Sequence, residues 1–314
     1  MAGKLKEIKL STVCRHLPKR LVLEPTTRCN LSCLFCARND PEMISHGQGD
    51  MSVDLLEEIL RPLAGVNAIG IGGLGEPLLH PRIDEIVKLS KRSARRVTLN
   101  TNGTLLRELA DKLAGLGLDS ISFSIDGGDR RTFEALRGYS LDKLLESVKG
   151  FALESSIPLI AYAVLSGRNY RSLLKLPRLL RRQEIPHLIA VNYQRYNPLS
   201  SRAEAGLAMD DSLFPGWREE MERECRKYGF ACTDTSNPPL IEKSICSAPF
   251  LMPALNYRGF LTPCCRRYAC ELADCGPAGF IAAWNSLGMW YFRRRIIEGN
   301  YPEACSRICG FSPP

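Results

Sequence analysis

Short apolar runs alternate with amphipathic stretches between about residue 20 and residue 193 of this chain. The runs are apolar at successive positions, which is typical of parallel strands buried on both faces. The stretches between them repeat their apolar residues at helical spacing. Repeated βα units are therefore predicted here, with six strands that begin at Arg20, Val66, Arg95, Asp119, Pro158 and Pro186.

Each predicted strand except the last is followed by a stretch that favours a helix. The first helix is predicted to begin after Ser52, a favourable N-cap residue, and to carry Asp54 and Glu57 in its first turn. Six units are too few to close an eight-stranded barrel, so the pattern predicts an α/β fold with an open or partial barrel or a doubly wound sheet. The apolar residues of the first helix share one face: Leu55, Leu56, Ile59, Leu60 and Leu63.

The alternation of apolar runs with amphipathic stretches ends at about residue 200, after which prolines and glycines interrupt short apolar runs. The segment 201–314 holds 9 of the 13 cysteines of the chain. A smaller, cysteine-rich α+β unit is predicted there, and its fold is expected to depend on a metal. The predicted divisions are an N-terminal extension over residues 1–19, a barrel over 20–200 and the cysteine-rich unit over 201–314.

Composition narrows the classes of function. The N-terminus lacks the apolar core of a secretory signal, and no apolar run approaches the ~18 residues of a membrane span, which predicts a cytoplasmic protein without a membrane partner. In that reducing compartment, an odd number of grouped cysteines indicates metal binding or catalysis. The net charge of +8 is spread along the chain without a basic tail, so nucleic acid is not the favoured partner.

Cys29, Cys33 and Cys36 follow the first predicted strand, with three and then two residues between them. Three thiolates this close in sequence are expected to converge on one centre. Zinc normally takes a fourth protein ligand, whereas a four-iron cluster can use three cysteines and leave one iron open for a small molecule. This chemistry favours an iron–sulfur cluster and leaves zinc as the alternative.

The run CNLSCLFC, with the aromatic Phe35 just before its last cysteine, resembles the CX3CX2C signature of radical S-adenosylmethionine (radical SAM) enzymes. The resemblance covers roughly residues 20–195 and implies a partial (β/α)6 TIM-like barrel. It also implies that Cys29, Cys33 and Cys36 hold a 4Fe-4S cluster and that S-adenosylmethionine binds to the open iron. Reductive cleavage would then give methionine and a 5′-deoxyadenosyl radical, with the hard chemistry supplied by the cofactor.

Further motifs of this family recur in order. In GIGGLGEPLLHP, the residues Gly73, Gly75 and Glu76 resemble the glycine-rich element that holds the methionine amino group, although the sequence reads GLGE rather than GGE. Glycines allow close backbone approach, and a carboxylate pairs with an ammonium. By the same resemblance, four more residues border the cofactor: Asn100 near the ribose or methionine, Ser124 and Asp126 at its edge, and Arg137 at the methionine carboxylate.

Ordinary structural roles remain open for several of these residues. The pairs Asn102-Gly103 and Asp126-Gly127 are also typical of turns. Arg137 could instead form a surface salt bridge, and the glycine run could be a tight turn.

Cys246, Gly259 and Cys264 match the CX9-15GX4C opening of the auxiliary-cluster domains called SPASM and twitch. A β-hairpin with NYRG as its turn would bring the two cysteines together. After a helix-like stretch that begins at Ala282, Cys305 and Cys309 complete the resemblance, which implies an auxiliary 4Fe-4S cluster on these four cysteines. Zinc is the alternative. The sequence lacks the CX2CX5CX3C block of a full SPASM domain.

Six cysteines have no assigned role. Free cysteines are often simply buried, and some of these six could be further ligands. Cys14 and Cys265 carry no further prediction, whereas four others are candidate hydrogen-atom donors to a substrate radical: Cys225, Cys232, Cys270 and Cys275.

The favoured function is a radical SAM enzyme that modifies a peptide or protein, because compact relatives often do so. The alternative is a dehydrogenase of an aminosugar or other small carbohydrate. Two further alternatives are an RNA-modifying enzyme and a non-catalytic electron carrier. RNA-modifying enzymes usually carry a recognisable RNA-binding module. An electron carrier would not need GLGE, Asn100 and Arg137. An external donor such as flavodoxin or ferredoxin is expected. A separate peptide-recognition protein is a further candidate partner, since only about nineteen residues precede the first strand.

Overall fold

The computed structural model describes residues 11–39, 47–196, 207–236, 245–266, 270–276, 279–303, 305 and 309. Within these ranges no helix is both long and apolar enough to cross a membrane. The strands are β1 (Arg20–Leu23), β2 (Val66–Ile71), β3 (Ala94–Thr101), β4 (Ser120–Ser124), β5 (Leu159–Leu165), β6 (Leu188–Arg195), β7 (Ala231–Asp234), β8 (Ala254–Leu255), β9 (Phe260–Thr262) and β10 (Ala273–Asp274). The α-helices are α1 (Val53–Leu60), α2 (Ile83–Ser93), α3 (Ala110–Ala114), α4 (Arg130–Arg137), α5 (Leu141–Glu154), α6 (Tyr170–Leu173), α7 (Leu176–Arg182), α8 (Phe214–Lys227), α9 (Ala248–Leu251), α10 (Gly279–Trp284) and α11 (Leu287–Ile297).

The described strands form one sheet in the order β10-β9-β8-β1-β2-β3-β4-β5-β6-β7. Neighbours from β8 through β1 to β7 are parallel, while β9 and β10 pair antiparallel at the far edge. The α/β fold with a parallel sheet is thus confirmed, as are all six predicted strands. The carboxyl ends of these strands meet at one edge of the sheet, where barrel enzymes carry their chemistry.

Burial alternates along the strands. In β5 the residues Leu159, Ala161, Ala163 and Leu165 are buried, and the residues between them are partly exposed. Side chains of a strand point alternately to its two faces. One face of the sheet is therefore covered by helices, and the other stays partly open to solvent. The expectation of burial on both faces is wrong for β5.

Helix α1 begins after Ser52 and buries an apolar face, as its sequence predicted. The Ser52 side chain accepts a hydrogen bond from the Leu55 amide, as an N-cap does. Val53, Leu56 and Ile59 are buried, and Leu63 is buried in the 3-10 turn that continues the helix. Leu55 is only partly buried. It lies against Gly259 of the C-terminal region, where an added Cβ atom would come within 2.8 Å of it.

The chain continues the parallel sheet beyond the six predicted strands. Helix α8 and strand β7 complete a further unit, in which Val191 of β6 pairs with Cys232 of β7. The sequence ACTD of β7 is short and partly exposed, so it lacks the apolar run that identified the other strands. The predicted boundary at residues 200 and 201 lies outside the described residues, and the division into domains stays a prediction.

The stretch that begins at Ala282 was predicted to be helix-like, and it is helical. It contains two helices, α10 and α11, which are separated at Asn285 and Ser286. The cause is local, because the Ser286 side chain accepts a hydrogen bond from the Met289 amide and caps α11.

The C-terminal hairpin lies against β1. Strand β8 runs parallel to β1, with Val22 paired to Ala254. The predicted turn at NYRG is confirmed, with Gly259 in the left-handed region at φ +85°. Because β8 and β1 are parallel, this turn lies at the carboxyl end of β1, beside the loop that carries the first three cysteines.

The N-terminal segment before β1 is fastened to the C-terminal helices. Cys14 and Asn285 exchange two hydrogen bonds, of 2.9 and 3.1 Å. The Trp284 indole donates to the His16 carbonyl. Arg293 is fully buried, donates to the carbonyls of Pro249 and Thr12, and lies 4.0 Å from the Trp284 ring centroid. Burial lowers its pKa to about 10.

We expect Arg293→Ala to lower the free energy of unfolding by about 3 kcal/mol, because it removes hydrogen bonds made by a buried cation and leaves a cavity. Chemical denaturation followed by tryptophan fluorescence measures this change. The neighbouring Arg294 is the control, since its ion pair with Glu298 is exposed and screened by solvent and should contribute little to stability. Equal effects of the two substitutions would contradict the structural role of Arg293.

Candidate functional site

The loop after β1 carries the first three cysteines and is anchored at its base. The Arg28 guanidinium pairs with both carboxylate oxygens of Asp50, at 3.0 and 2.8 Å, and donates to the Leu79 carbonyl. The Thr26 hydroxyl donates to the Gly49 carbonyl. These contacts join the two ends of the loop and tie it to the segment after the glycine-rich element.

Cys29, Cys33 and Cys36 lie in this loop. Cys33 is buried and the other two are half-buried. Burial raises the pKa of Cys33 and Cys36, and the charge on Cys36 interacts with Cys29 and with Cys33. In the described residues no three His, Cys, Asp or Glu side chains are arranged to hold a metal ion as they stand. The assignment of these cysteines as ligands stays a prediction.

Several donors of the chain point at the cysteine sulfurs. The Leu31 amide donates to Cys29 Sγ at 3.5 Å, and the Asn102 side-chain amide lies 3.8 Å from the same atom. The Arg137 guanidinium lies 3.6 Å from Cys33 Sγ. Hydrogen bonds to sulfur tune thiolate-held clusters. Three thiols surrounded by such donors fit an iron–sulfur cluster.

The glycine-rich loop after β2 approaches the cysteine loop closely. A Cβ atom on Gly75 would lie 2.2 Å from the Thr26 carbonyl oxygen, so only glycine fits there. The next amide, of Glu76, donates to the Arg28 carbonyl at 2.7 Å. Gly73 is exposed and has φ +145°. The glycines were predicted to allow close backbone approach, and at Gly75 the backbone that comes close is that of the cysteine loop.

Glu76 is buried and bonded on both oxygens. Its Oε1 atom accepts from the Leu78 amide and the Thr101 hydroxyl, and Oε2 accepts from the Asn102 amide at 2.6 Å. Burial raises its pKa. A carboxylate has about four acceptor sites, so one site on Oε2 remains for a further donor such as an ammonium. The carboxylate also fastens the glycine-rich loop to the end of β3.

Arg137 and Asp126 form a buried pair. Asp126 accepts from the Arg137 Nε atom and from the Val164 amide. The guanidinium lies 5.6 Å from the Phe35 ring centroid. Burial by itself would lower the pKa of Arg137, but Asp126 and Cys33 raise it. The alternative of a surface salt bridge is wrong, because Asp126 is fully buried. Contact of Arg137 with a methionine carboxylate stays a prediction.

Asn100 and Ser124 lie on the open face of the sheet, at the ends of β3 and β4. Asn100 is exposed and Ser124 is half-buried, so both are accessible from the same side. Asn102 was considered only as a turn residue. It does accept a turn hydrogen bond from the Thr104 amide, but its side-chain amide also reaches the cysteine loop at Cys29 and Asn30.

The second predicted ligand set lies in the C-terminal region. Burial raises the pKa of Cys246 to about 12, and the charges of Cys309 and Cys305 act in the same direction. Burial also raises the pKa of Cys264, whose charge interacts with Cys246 and Cys309. Cys246 is thus within electrostatic range of each of the other three thiols. Four cysteines suit either an iron–sulfur cluster or zinc, and both readings remain open.

Arg266 connects this cysteine group to the barrel. Its Nη1 atom lies 3.8 Å from Cys309 Sγ, and its Nη2 atom donates to the Ser236 carbonyl just after β7. The charge of Arg266 also acts on Tyr162. The Tyr162 hydroxyl forms hydrogen bonds with Thr235 at 2.6 Å and Gln194 at 3.1 Å. This polar network was not identified from the sequence, since its members are far apart in the chain.

The remaining cysteines have varied surroundings. Cys225 of α8 is fully buried, and its hydrogen bond with Cys232 of β7, together with burial, raises its pKa. Cys275 is also fully buried, whereas Cys270 is partly exposed. A role for any of these four as a hydrogen-atom donor stays a prediction. Cys14 is buried beside Arg293, and Cys265 is exposed.

The part of the chain that forms this site matches a known protein family and several known proteins. The family described as the Radical SAM superfamily matches residues 23–180, a region that contains the cysteine loop, the glycine-rich loop and Arg137. A tungsten-containing aldehyde ferredoxin oxidoreductase cofactor-modifying protein of Pyrococcus furiosus is 40% identical over 112 residues, which are 34% of this chain and 31% of that protein. A GTP 3',8-cyclase of Peptoclostridium acidaminophilum is 36% identical over 154 residues, or 47% of this chain and 46% of that enzyme. The chain therefore spans between about a third and a half of the length of these curated relatives.

Solved structures share the fold over most of the chain. Streptococcus suis SuiB bound to precursor peptide SuiA superposes with a TM-score of 0.71 at 17% identity, over 88% of this chain and 66% of SuiB. Native anSMEcpe with bound AdoMet gives a TM-score of 0.72 at 15% identity, over 92% of this chain and 87% of that protein. At such identities the likeness shows the fold alone, and it supports the partial-barrel architecture.

We expect Gly75→Ala to disrupt the site, because its Cβ atom would overlap the carbonyls of Thr26 and Arg28. The free energy of unfolding should fall by more than ~2 kcal/mol. Iron bound after anaerobic reconstitution should fall as well, since the cysteine loop can no longer seat. Thermal unfolding and iron analysis measure the two effects.

Gly216→Ala in α8 is the matched control. Within the described part of the chain, no atom beyond its chain neighbours and its own helix backbone lies within 4 Å of a Cβ built there, so stability should be unchanged or rise by up to ~1 kcal/mol. Normal iron uptake and stability in Gly75→Ala would show that the two loops do not need this close approach.

Proposed function

The chain belongs to the radical SAM superfamily and is therefore an enzyme, and we propose that it reductively cleaves S-adenosylmethionine and uses the resulting 5′-deoxyadenosyl radical to abstract a hydrogen atom from a peptide or protein. The observation that carries this proposal is the convergence of the cysteine loop, the glycine-rich loop and the Asp126–Arg137 pair at one edge of the sheet. An iron–sulfur electron carrier would not need the last two of these features.

In this proposal Cys29, Cys33 and Cys36 hold a 4Fe-4S cluster. When bound, the cluster and S-adenosylmethionine supply one-electron cleavage and an organic radical. The remaining acceptor site of Glu76 would take the methionine ammonium, and Arg137 would face the carboxylate. Burial of the Asp126–Arg137 pair holds the guanidinium in place without solvent competition.

The C-terminal cysteine-rich region fits a SPASM/twitch domain, and we propose that Cys246, Cys264, Cys305 and Cys309 hold an auxiliary 4Fe-4S cluster. Support comes from Cys246, whose thiol is within electrostatic range of the other three. Arg266 spans from Cys309 to the end of β7. A substrate on the open face near Tyr162 would therefore lie on the side of the barrel that faces this group.

A peptide or protein substrate is supported by two findings. The proteins SuiB and anSMEcpe, which share the fold, have each been solved with a peptide bound. The open face near β5 and β6 also carries neutral hydrogen-bonding groups at Tyr162, Gln194 and Thr235, which suit the amides of a peptide.

A nucleotide is the second candidate substrate, because a sequence relative is a GTP 3',8-cyclase. Recognition of a triphosphate relies on several cations. Arg266, which lies near Tyr162, is already bonded to the Ser236 carbonyl and close to Cys309. Mass spectrometry of the reaction with each substrate class distinguishes the nucleotide from the peptide.

We expect the anaerobically reconstituted and reduced protein to convert S-adenosylmethionine to 5′-deoxyadenosine. Replacement of Cys29, Cys33 and Cys36 by Ala should abolish the product, because the cluster loses its protein ligands. Chromatography of the reaction measures it. Product formation that survives the triple replacement would refute the proposal.

Iron analysis gives a second readout of the same variant. Two four-iron clusters predict about eight irons per chain, falling by about half in the triple variant. A parent protein with about four irons would remove the auxiliary cluster from the proposal.

Substrate class is tested by mass spectrometry of reduced enzyme with S-adenosylmethionine and candidate substrates. We expect a mass change in a peptide, with 5′-deoxyadenosine formed in proportion to the modified peptide. Controls omit the reductant. Loss of two hydrogens from an aminosugar, or a rearranged guanine nucleotide, with unmodified peptides would overturn the peptide assignment and leave the SAM chemistry standing.

A further inference from the structure

Glu24 is a buried carboxylate at the carboxyl end of β1 that the site chemistry above does not use. Its side chain is fully buried. The Oε1 atom accepts from the Leu74 amide at 3.0 Å, and the Oε2 atom accepts from the Tyr257 amide at 3.5 Å. One side chain thus bonds to two segments that are separated by more than 180 residues in the chain.

The first of these segments is the glycine-rich loop. Gly73 precedes Leu74 and has φ +145°, a conformation that favours glycine. A Cβ atom on Gly73 would lie 2.7 Å from Glu24 Cγ and 2.9 Å from its Cβ. The loop backbone therefore rests directly on Glu24, and the position of Glu24 determines where the exposed backbone of Gly73 lies.

The second segment is the turn of the C-terminal hairpin, Asn256–Gly259. The Tyr257 ring packs against Gly49, where an added Cβ atom would come within 2.7 Å of Cε2. This turn thus also covers the chain just after the cysteine loop. Along the same hairpin, Cys264 follows β9 by two residues.

We propose that Glu24 is a positioning residue that links the glycine-rich loop to the C-terminal hairpin, so that seating of the hairpin on β1 sets the affinity of the S-adenosylmethionine site. This inference rests on the proposed function, since it takes the glycine-rich loop as part of that site. It connects the unit with the second cysteine group to cofactor binding through one side chain. By linkage, cofactor binding stabilises the seated hairpin by the same factor.

Because Glu24 is titratable, the link between the glycine-rich loop and the hairpin should depend on pH and can be measured in that way. Burial raises its pKa to about 7; the two backbone hydrogen bonds lower it, and the negative charge of Glu271 raises it again. Glu271 itself is bonded to Asn256 and paired with Arg258 of the hairpin. On the side of the glycine-rich loop, the Glu76 carboxylate is turned to Thr101 and Asn102.

The sign of the pH effect follows from linkage. When the hairpin turn detaches, Glu24 meets water and its pKa returns toward the ordinary value of about 4.3. Between that value and about 7 the detached form binds fewer protons than the seated form. Detachment therefore becomes easier as the pH rises through this window, by up to about tenfold per pH unit, and the trend ends above about pH 7.

The experiment measures hydrogen exchange at the Leu74 and Tyr257 amides of the reconstituted protein, corrected for the intrinsic exchange rate at each pH. We expect protection at both amides to fall together between about pH 5 and pH 7. Glu24→Gln cannot titrate, so the pH dependence should be lost. Its amide oxygen should keep the Leu74 amide protected, whereas its NH2 group cannot accept from the Tyr257 amide, which should exchange faster at every pH. Glu271→Gln should move the trend to lower pH, because it removes the charge that raises the pKa of Glu24.

Equilibrium binding of S-adenosylmethionine is the second readout. Glu24→Ala should weaken binding by about three- to tenfold, which corresponds to the loss of a hydrogen bond to the loop, while Glu24→Gln should bind almost as the parent does. The proposal is overturned if Glu24→Ala binds as tightly as the parent, or if exchange at Leu74 has the same pH dependence in all three Glu24 and Glu271 variants as in the parent.

Three further outcomes separate the claims. If Glu24→Ala does not fold, the exchange profiles of Glu24→Gln and Glu271→Gln decide alone, because both substitutions keep the packing. If the parent gives no 5′-deoxyadenosine yet shows the exchange trend, the proposed function fails and the link between loop and hairpin stands. If the parent forms 5′-deoxyadenosine but shows no exchange trend, the link between loop and hairpin fails and the proposed function stands.

Discussion

Two loops meet at the carboxyl edge of the sheet with no room for a side chain between them. At Gly75 the backbone of the glycine-rich loop touches the carbonyls of Thr26 and Arg28, and the Glu76 amide bonds to one of those carbonyls. This contact fixes the cysteine loop relative to β2 and β3. The parallel register brings the ends of β1, β2 and β3 together, and the glycine converts that proximity into contact.

Buried carboxylates hold the rest of the site around this contact, each in a different way. Glu76 is satisfied by neutral donors from two loops, whereas Asp126 is satisfied by a cation and a backbone amide. An unpaired charge in such a place would cost several kcal/mol, so these bonds over-determine the geometry. The result is a rigid rim around a sheet face that stays partly open, which suits an enzyme that must orient a reactive group and shield it.

The sequence predicted those parts of the fold that have a local signal. The six apolar strands, the Ser52 cap and the Gly259 turn each depend on neighbouring residues, and each is confirmed. Strand β7 was missed because it is short, lacks an apolar run and pairs with β6, a distant segment of the chain. Ser286 was overlooked as a cap inside an apolar stretch. Glu24 drew no attention because a single carboxylate gains its role only from Leu74 and Tyr257, which contact it in three dimensions.

The hydrogen bonds between the N-terminal segment and the C-terminal helices have a consequence for synthesis of the chain. Strand β1 is made more than 200 residues before its partner β8 and before the segment that contacts Cys14 and His16. Until then β1 is an unpaired edge that can recruit other strands. The free edge of β1 therefore stays open to other strands until the hairpin has been made.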